Sequence, residues 1–459
     1  MSLPFLNRTA ELARLRPALR GGVGLYCVYG RRRLGKSRMI RELAAKSTVT
    51  FYTGDERDAV LQRQAVAREV ARIVPGFAAV EYREWEALLQ RWWRESPKRS
   101  PLILDEFPSI VARSPELPSV LQKLLDQSTP GRAVILSGSS QRMMQGLVLE
   151  RNAPLFGRAK EIVKLEPMGA YWTGRALSVT DAAEVLEQHA VWGGVPRYWE
   201  LAASSRGLWD AVRRHVLDPL GVLHHEPDRL LLDETNDVAR TASVLNVVAR
   251  GSHRVSEIGA RLALPGTSLS RPLARLVELG LLARDVPFGA SERESKRSLY
   301  RIADPFLAFW FRFVDPNRSR LAAGQLKQVS ADVESEWPRF AGIAWEGLVR
   351  DSVARATIAG ESWHPASRWW GTDRAGEPLE IDVLARSVAS PKRLLVGEAK
   401  LRLTSREIPR AFAELEHKAA RCPEAEGKEL VFVLWVLRPN VRNLRAGVLG
   451  PKDVLSVLR

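Results

Sequence analysis

Tyr26-Cys27-Val28-Tyr29-Gly30-Arg31-Arg32-Arg33-Leu34-Gly35-Lys36-Ser37-Arg38-Met39-Ile40 is the stretch whose reading decides the fold. An apolar run from Leu25 to Tyr29 stops at Gly30. Gly35-Lys36-Ser37 then opens an apolar-periodic segment with Met39, Ile40 and Leu43. The pattern predicts strand, loop, helix, and the spacing Gly30-x-x-x-x-Gly35-Lys36-Ser37 fits the Walker A motif without departure. Glycines there let backbone N–H groups of Arg31, Arg32, Arg33 and Leu34 turn inward onto phosphate oxygens, and a helix N-terminus adds a favourable dipole. Lys36 is the candidate charge for the β/γ-phosphates and Ser37 the candidate hydroxyl for Mg²⁺, with Arg38 beside it on the helix. ATP and Mg²⁺ are therefore the expected cofactors.

Composition bounds what surrounds this loop. A chain of 459 residues is too long for one ordinary core, and about three domains are expected from length alone. Hydrophobic content of 45% with 27% charged residues is that of a folded globular chain. No apolar run reaches the roughly 18 to 20 residues of a membrane span, and the N-terminus lacks a signal pattern. The expectation is a cytoplasmic protein with no membrane partner. Cys27 and Cys422 are far apart, and Cys27 lies in the strand before the loop, so free thiols are expected. Lys and Arg total 69 against 53 acids, a formal net charge of +16. That excess favours a polyanion such as DNA through counterion release, although Arg-rich coding bias gives the same balance without one.

Outward from the loop, Thr9 is a candidate N-cap for a helix carrying Leu12, Leu15 and Leu19. Thr48 to Tyr52 is expected as a strand, and residues 56 to 74 and Trp85 to Trp93 as helices packing on the core. Leu102-Ile103-Leu104-Asp105-Glu106 is a buried-strand run ending in two carboxylates. Parallel strands would bring its tip to the same sheet edge as the loop, with Asp105 on Mg²⁺ and Glu106 polarising the attacking water. Ala133 to Leu136 is a further buried strand tipped by Ser137-Gly138-Ser139-Ser140, where a hydroxyl such as that of Ser139 would report on the γ-phosphate or merely cap a turn.

Taken together, Tyr29 to Ser37, Leu104-Asp105-Glu106-Phe107, Leu136 to Ser140, Pro154-Leu155-Phe156-Gly157-Arg158 and Trp192-Gly193-Gly194-Val195-Pro196-Arg197-Tyr198 resemble the archaeal-type ATPase family, a STAND-like branch of the AAA+ P-loop NTPases. The resemblance implies that Asn7 and Arg8 lie against the adenine and that Arg158 senses the γ-phosphate or acts in trans in a homo-oligomer. It also implies a helical lid whose Pro196 lies on the nucleotide. The plain alternative for Gly-Gly-Val-Pro is a helix-breaking turn.

From Asp237 to Tyr300 the pattern changes to three helices and two strands, a winged-helix order. The third helix, Thr267 to Leu279, carries Ser268, Ser270, Arg271 and Arg275 as candidate major-groove contacts, and interdomain or protein contact is an equal alternative. Pro272 requires the helix to start just before it. Glu292 to Arg297 reads as a solvated wing tip. Ala303 to Val314 is the densest aromatic stretch, expected as core.

The C-terminal part has its own α/β pattern: a helix from about Phe340 through Glu346, then strands at Glu380–Ala385, Leu394–Lys400 and Leu430–Val436. Asp382 followed by Glu398-x-Lys400 is the PD-(D/E)xK nuclease arrangement, without a proline before Asp382. Strand alternation puts Glu398 and Lys400 on one face. Asp382 and Glu398 would share a divalent metal, Lys400 would stabilise developing negative charge, and Glu346 resembles the additional acidic ligand of that fold. A solvated hairpin is the plain alternative.

The fold class expected is therefore α/β: a P-loop NTPase parallel sheet with a helical lid, a winged-helix module and a smaller restriction-endonuclease-like C-terminal domain. Boundaries fall at 1–170, 171–236, 237–314 and 315–459. The expected function is an ATP-driven switch acting on DNA, against an alternative in which ATP sets the assembly state of a non-cleaving signalling protein.

Overall fold

The computed structural model describes residues 3–127, 131–235, 237–291, 297–373, 375–440 and 446–459. The chain divides into two compact units, one of residues 6–167 with 232–236 and one of the remainder. No helix among the described residues is long and apolar enough to cross a membrane.

In the first unit five parallel strands, β1 (Gly24–Tyr29), β2 (Thr50–Thr53), β3 (Leu102–Asp105), β4 (Ala133–Gly138) and β5 (Ala159–Lys164), lie in the order β2-β3-β4-β1-β5. β3 and β4 are fully buried, as strands covered on both faces by helices must be. Trp85, Leu88, Leu89 and Trp92, on one stripe of the helix Trp85–Glu95, pack into this core with Phe107, Ile110 and Leu121. The order places β1 beside β4 and β4 beside β3, so the loop after β1 and the polar tips of β3 and β4 share one edge. Cys27 is buried in β1 and Cys422 in the other unit, both free, and burial pushes the Cys27 thiol up to about 12.

The second unit opens with helices Ala170–Leu177, Ala182–Trp192 and Pro196–Ala202. Gly193, with φ 55, ends the second of these and Pro196 starts the third. Gly194 is required by close approach: a Cβ there would lie 2.0 Å from the Met168 carbonyl oxygen. Helices Val238–Ala249, Val255–Leu262 and Gly266–Glu278 precede an antiparallel pair, β6 (Leu282–Asp285) and β7 (Leu299–Ile302). Pro272 lies well inside the third helix rather than in its first turn. The carbonyl four residues back, on Ser268, is freed by the missing N–H and accepts from the Arg240 guanidinium at 3.3 Å. Of the expected wing tip, residues 292–296 lie outside the described residues.

Phe306, Phe309, Trp310 and Phe313 are buried in the helix Pro305–Phe313, so the aromatic stretch is core. Its rings also contact the helix that runs from Leu326 to Val353 instead of beginning near Phe340. Phe340 packs on Phe309 and Phe313, with Trp337 against Phe340, and burial of those rings holds the earlier turns helical.

After a short hairpin of β8 (Thr357–Ile358) and β9 (Glu361–Ser362), a second five-stranded sheet forms. Its strands are β10 (Ser367–Thr372), β11 (Pro378–Arg386), β12 (Arg393–Thr404), β13 (Glu429–Asn440) and β14 (Val448–Leu449), in chain order. β10, β11 and β12 pair antiparallel, whereas β12, β13 and β14 pair parallel. The helix Ile408–Arg421 makes the crossover between β12 and β13, burying Ile408, Ala411, Leu415 and Ala419 on the sheet.

Candidate functional site

The phosphate loop is built by backbone conformations that side chains resist. Gly30 leaves β1 with φ 152, and a Cβ there would lie 2.5 Å from the Leu165 carbonyl. Arg33 and Gly35 follow with φ 70 and 87, curling the loop into a concave nest before the helix begins at Lys36. Leu34 is buried and anchors the loop to the core. The Lys36 ammonium donates to the carbonyls of Gly30 at 2.7 Å and Arg31 at 2.9 Å. Burial pushes Lys36 down to about 8, outweighing the charges of Glu106, Asp105 and Glu234 that act to hold its proton. Ser37 and Arg38 continue the first turn of that helix.

Asp105 ends β3 with no exposed surface. One oxygen accepts from the Ser137 hydroxyl on β4, and the other has no hydrogen-bond partner among the described residues. A buried carboxylate oxygen without a donor, at the edge shared with Lys36 and Ser37, fits a cation. Glu106, next in sequence, takes φ 51 and turns its carboxylate onto Ser139, accepting from its backbone N–H at 3.1 Å and its hydroxyl at 2.7 Å. The residues present thus suit a nucleotide phosphate with a divalent ion.

Other expected contacts are placed differently. Arg8, with φ 69, precedes a helix that begins at Thr9, so Thr9 is its first residue rather than its cap. The Arg8 guanidinium is buried and bonded to the Leu34 carbonyl at 3.4 Å, the Glu166 carbonyl at 2.9 Å and Glu11 at 2.9 Å. Its donors brace the loop from behind, where the sequence suggested contact with a base. Asn7, with φ 57, forms the turn before it. Arg158 forks onto Asp126 at 2.9 and 2.8 Å and reaches the Pro154 carbonyl at 3.2 Å, which commits its donors locally. Pro196 belongs to the other unit, in the first turn of its helix.

Two residues near the loop carried no local signal in the sequence. Asp233 pairs with Arg32 at 3.0 Å, and its carbonyl accepts from Ser140 at 3.0 Å. Glu234 beside it is buried, and burial pushes its carboxyl up to about 7 against the opposing influence of Arg31, the Gln141 backbone and Lys36. Only the tertiary fold brings residues some two hundred positions apart together here.

A second constellation lies where β11 and β12 part. Their ladder runs to Val383 opposite Gly397, and beyond it the Asp382 carboxylate accepts the Ala399 N–H at 3.0 Å. Glu398 is buried and held by Lys400 at 2.7 Å and Lys418 at 2.6 Å, the latter from the helix Ile408–Arg421. Burial first, then the charge of Glu398, pushes Asp382 up to about 6. Glu346 rises to about 7 through burial and the charge of Asp382, with Arg350 3.9 Å away. The four residues named from sequence, Glu346, Asp382, Glu398 and Lys400, therefore influence one another. The expected three-carboxylate metal cluster is not formed, because Glu398 faces two ammonium groups and no group of three acids or histidines suited to a metal occurs among the described residues. Lys418 was missed because nothing in its helix marks it, whereas Arg350, four residues after Glu346, was legible as a helical pair.

A family model described as an ATPase domain predominantly from Archaea matches residues 5–187, and one described as archaeal and bacterial proteins of unknown function matches residues 310–411. An uncharacterized protein of Methanocaldococcus jannaschii is 26% identical over 426 residues, covering 90% of this chain and 92% of that one. Among solved structures, a Walker-type ATPase of Pyrococcus abyssi matches with a TM-score of 0.51 and 18% identity, over 67% of this chain and 96% of its own. The ORC2 protein of Aeropyrum pernix gives a TM-score of 0.40 at 16% identity, over 70% of this chain and 97% of its own.

Proposed function

Because the chain belongs to the archaeal-type ATPase family, with the ATPase domain model matching residues 5–187, we propose that its nucleotide state controls how the rest of the chain acts on DNA. The observation that carries the nucleotide part is the arrangement of the Gly30–Ser37 nest, the buried Lys36 ammonium and the unsatisfied Asp105 oxygen at one sheet edge. Backbone N–H groups of the loop would cradle the phosphates, and Lys36 would leave the Gly30 and Arg31 carbonyls for phosphate oxygens. Ser37 and Asp105 would hold Mg²⁺, which neutralises charge developing on the transferred phosphoryl group. Glu106 would orient the attacking water once released from Ser139, so that Ser139 acts as a gate on the base.

For DNA, support comes from the excess of 69 basic over 53 acidic residues, the helix Gly266–Glu278 with Arg271 and Arg275, and the grouping of Asp382, Glu398 and Lys400. In the nuclease reading, Asp382 and Glu398 would hold a divalent ion as a pair and Lys400 would stabilise the leaving charge. The pairing of Glu398 with both Lys400 and Lys418 favours a second reading, in which the same cations grip a phosphate backbone without cutting it. Incubation of supercoiled, linear and single-stranded DNA with Mg²⁺ or Mn²⁺ separates the two. Cleavage by wild type and its loss in Asp382→Ala and Lys400→Ala support the nuclease; binding without cleavage supports the gripping site; equal cleavage by all three proteins removes this site from the account.

A further inference from the structure

Residues 232–235 pack with the phosphate-loop unit although the flanking chain on both sides belongs to the other unit. They are the end of the helix Glu226–Glu234, and Asp237, two residues on, caps the helix Val238–Ala249 by accepting the Arg240 N–H at 3.0 Å. This short strap is fastened at two points. Asp233 pairs with Arg32 inside the Walker A loop at 3.0 Å, and the Asp233 carbonyl accepts from Ser140, just past the tip of β4, at 3.0 Å. Next to this doubly fastened residue, Glu234 is 2% exposed. Among the described residues neither of its oxygens has a well-formed hydrogen bond, with the Gln141 backbone reaching toward it. A carboxylate taken out of water without donors is costly, so its position needs a reason beyond packing. Among the charges that act on it, Arg31 and Lys36, cations of the phosphate loop, favour its ionised form and Asp233 opposes it.

We propose that Glu234 is a stand-in anion for the nucleotide phosphate: it faces the loop cations when nucleotide is absent and is expelled, with its strap, when a nucleoside triphosphate binds. The inference rests on the reading of Gly30–Ser37 as an ATP site. Its logic is competition for the same charges, because a triphosphate and a buried carboxylate cannot both face Arg31 and Lys36 without repulsion. Asp237 begins the next helix directly after the strap, so expulsion moves the start of the winged-helix segment by covalent connection alone. Occupancy of the loop thereby becomes a signal to the DNA-facing module without any change in the loop's own fold.

The test uses the full chain with ATP and Mg²⁺, and reads binding and backbone exchange rather than turnover. Glu234→Gln removes the competing charge and keeps the shape, and is expected to tighten ATP binding about tenfold, the effect of relieving one like-charge contact. Asp233→Asn, which loosens the strap by weakening the Arg32 pair, is expected to tighten it less. In wild type, amide exchange at residues 232–235 is expected to speed up when ATP is added, and in Asp233→Asn to be fast already. Unchanged or weaker ATP binding by Glu234→Gln, or strap exchange indifferent to ATP in a wild-type protein that binds it, overturns the proposal. Absence of ATP binding by both wild type and Glu234→Gln overturns the ATP-site reading instead. Should Glu234→Gln not fold, the Asp233→Asn affinity and the wild-type exchange decide.

Discussion

Replacing Ser137 with alanine tests how the tip of β3 is held. Asp105 has no exposed surface, and the one hydrogen bond to its carboxylate among the described residues comes from the Ser137 hydroxyl, the second carboxylate oxygen being without a partner. Ser137→Ala therefore leaves a buried carboxylate with no donor at all. Hydrogen bonds to charged groups are worth roughly 1.5–3 kcal/mol. At about 2–4 °C per kcal/mol for a unit of this size, the melting temperature of nucleotide-free protein should fall by about 3–12 °C. Ser139→Ala is the internal control. Glu106 keeps the Ser139 backbone N–H at 3.1 Å and is partly solvated, so the loss should stay near 1 kcal/mol. Mg²⁺ with ATP should restore much of the Ser137→Ala deficit, since the cation satisfies Asp105. The assay is a thermal melt of both variants and wild type, with and without Mg²⁺ and ATP. A Ser137→Ala protein that melts with wild type, or loses no more than Ser139→Ala, would refute the reasoning about Asp105.

Three further outcomes are expected. His189 is buried against Thr173, accepting or donating at 2.9 Å, and burial pushes its imidazole from 6.5 down to about 4, with Asp304 opposing. The unfolded chain binds the proton more readily between those values, so stability is full above pH 6.5 and falls by about 3 kcal/mol as the pH drops toward 4; urea titrations of His189→Gln across that window should show a flatter profile. Gly194→Ala should cost about 3 kcal/mol or more, because its Cβ meets the Met168 backbone at 2.0 and 2.3 Å, whereas Gly157→Ala, with φ 71 but open space around it, should cost only about 1 kcal/mol in the same melts. Lys36→Ala should abolish Mg²⁺-dependent nucleotide binding while leaving far-UV circular dichroism intact; unaltered binding would remove Lys36 from the site.

What the sequence revealed and what it hid divide along one physical line. Gly30, Gly35, Lys36 and Ser37 lie within eight consecutive residues, so their spacing alone carries the loop. Asp105 and Glu106 follow a strand whose apolar run is local, and the shared edge then follows from parallel topology. The pair Glu398 and Lys400 is legible through the two-residue period of a strand. By contrast, the charge of Glu234 reaches Lys36, and Lys418 pairs with Glu398, only through tertiary packing, and neither sits in a periodic or motif context that marks it. Arg8 shows another side of this: a short match gave it a role at the base, while its buried guanidinium bonds to the Leu34 and Glu166 carbonyls, partners that no local pattern marks. The helix Leu326–Val353 extends well before Phe340, where the apolar pattern gave no helical period, because Phe340 packs on Phe309 and Phe313 and Trp337 on Phe340, contacts that only the tertiary fold supplies.

The most direct measurement is the rate of Mg²⁺-dependent change in labelled DNA, whether cleavage or complex formation, followed for wild type and Lys36→Ala with and without ATP. The proposed control of action on DNA by the Gly30–Ser37 loop predicts that ATP alters the wild-type rate and leaves Lys36→Ala unmoved. A wild-type rate indifferent to ATP, in protein shown to bind it, would contradict that control.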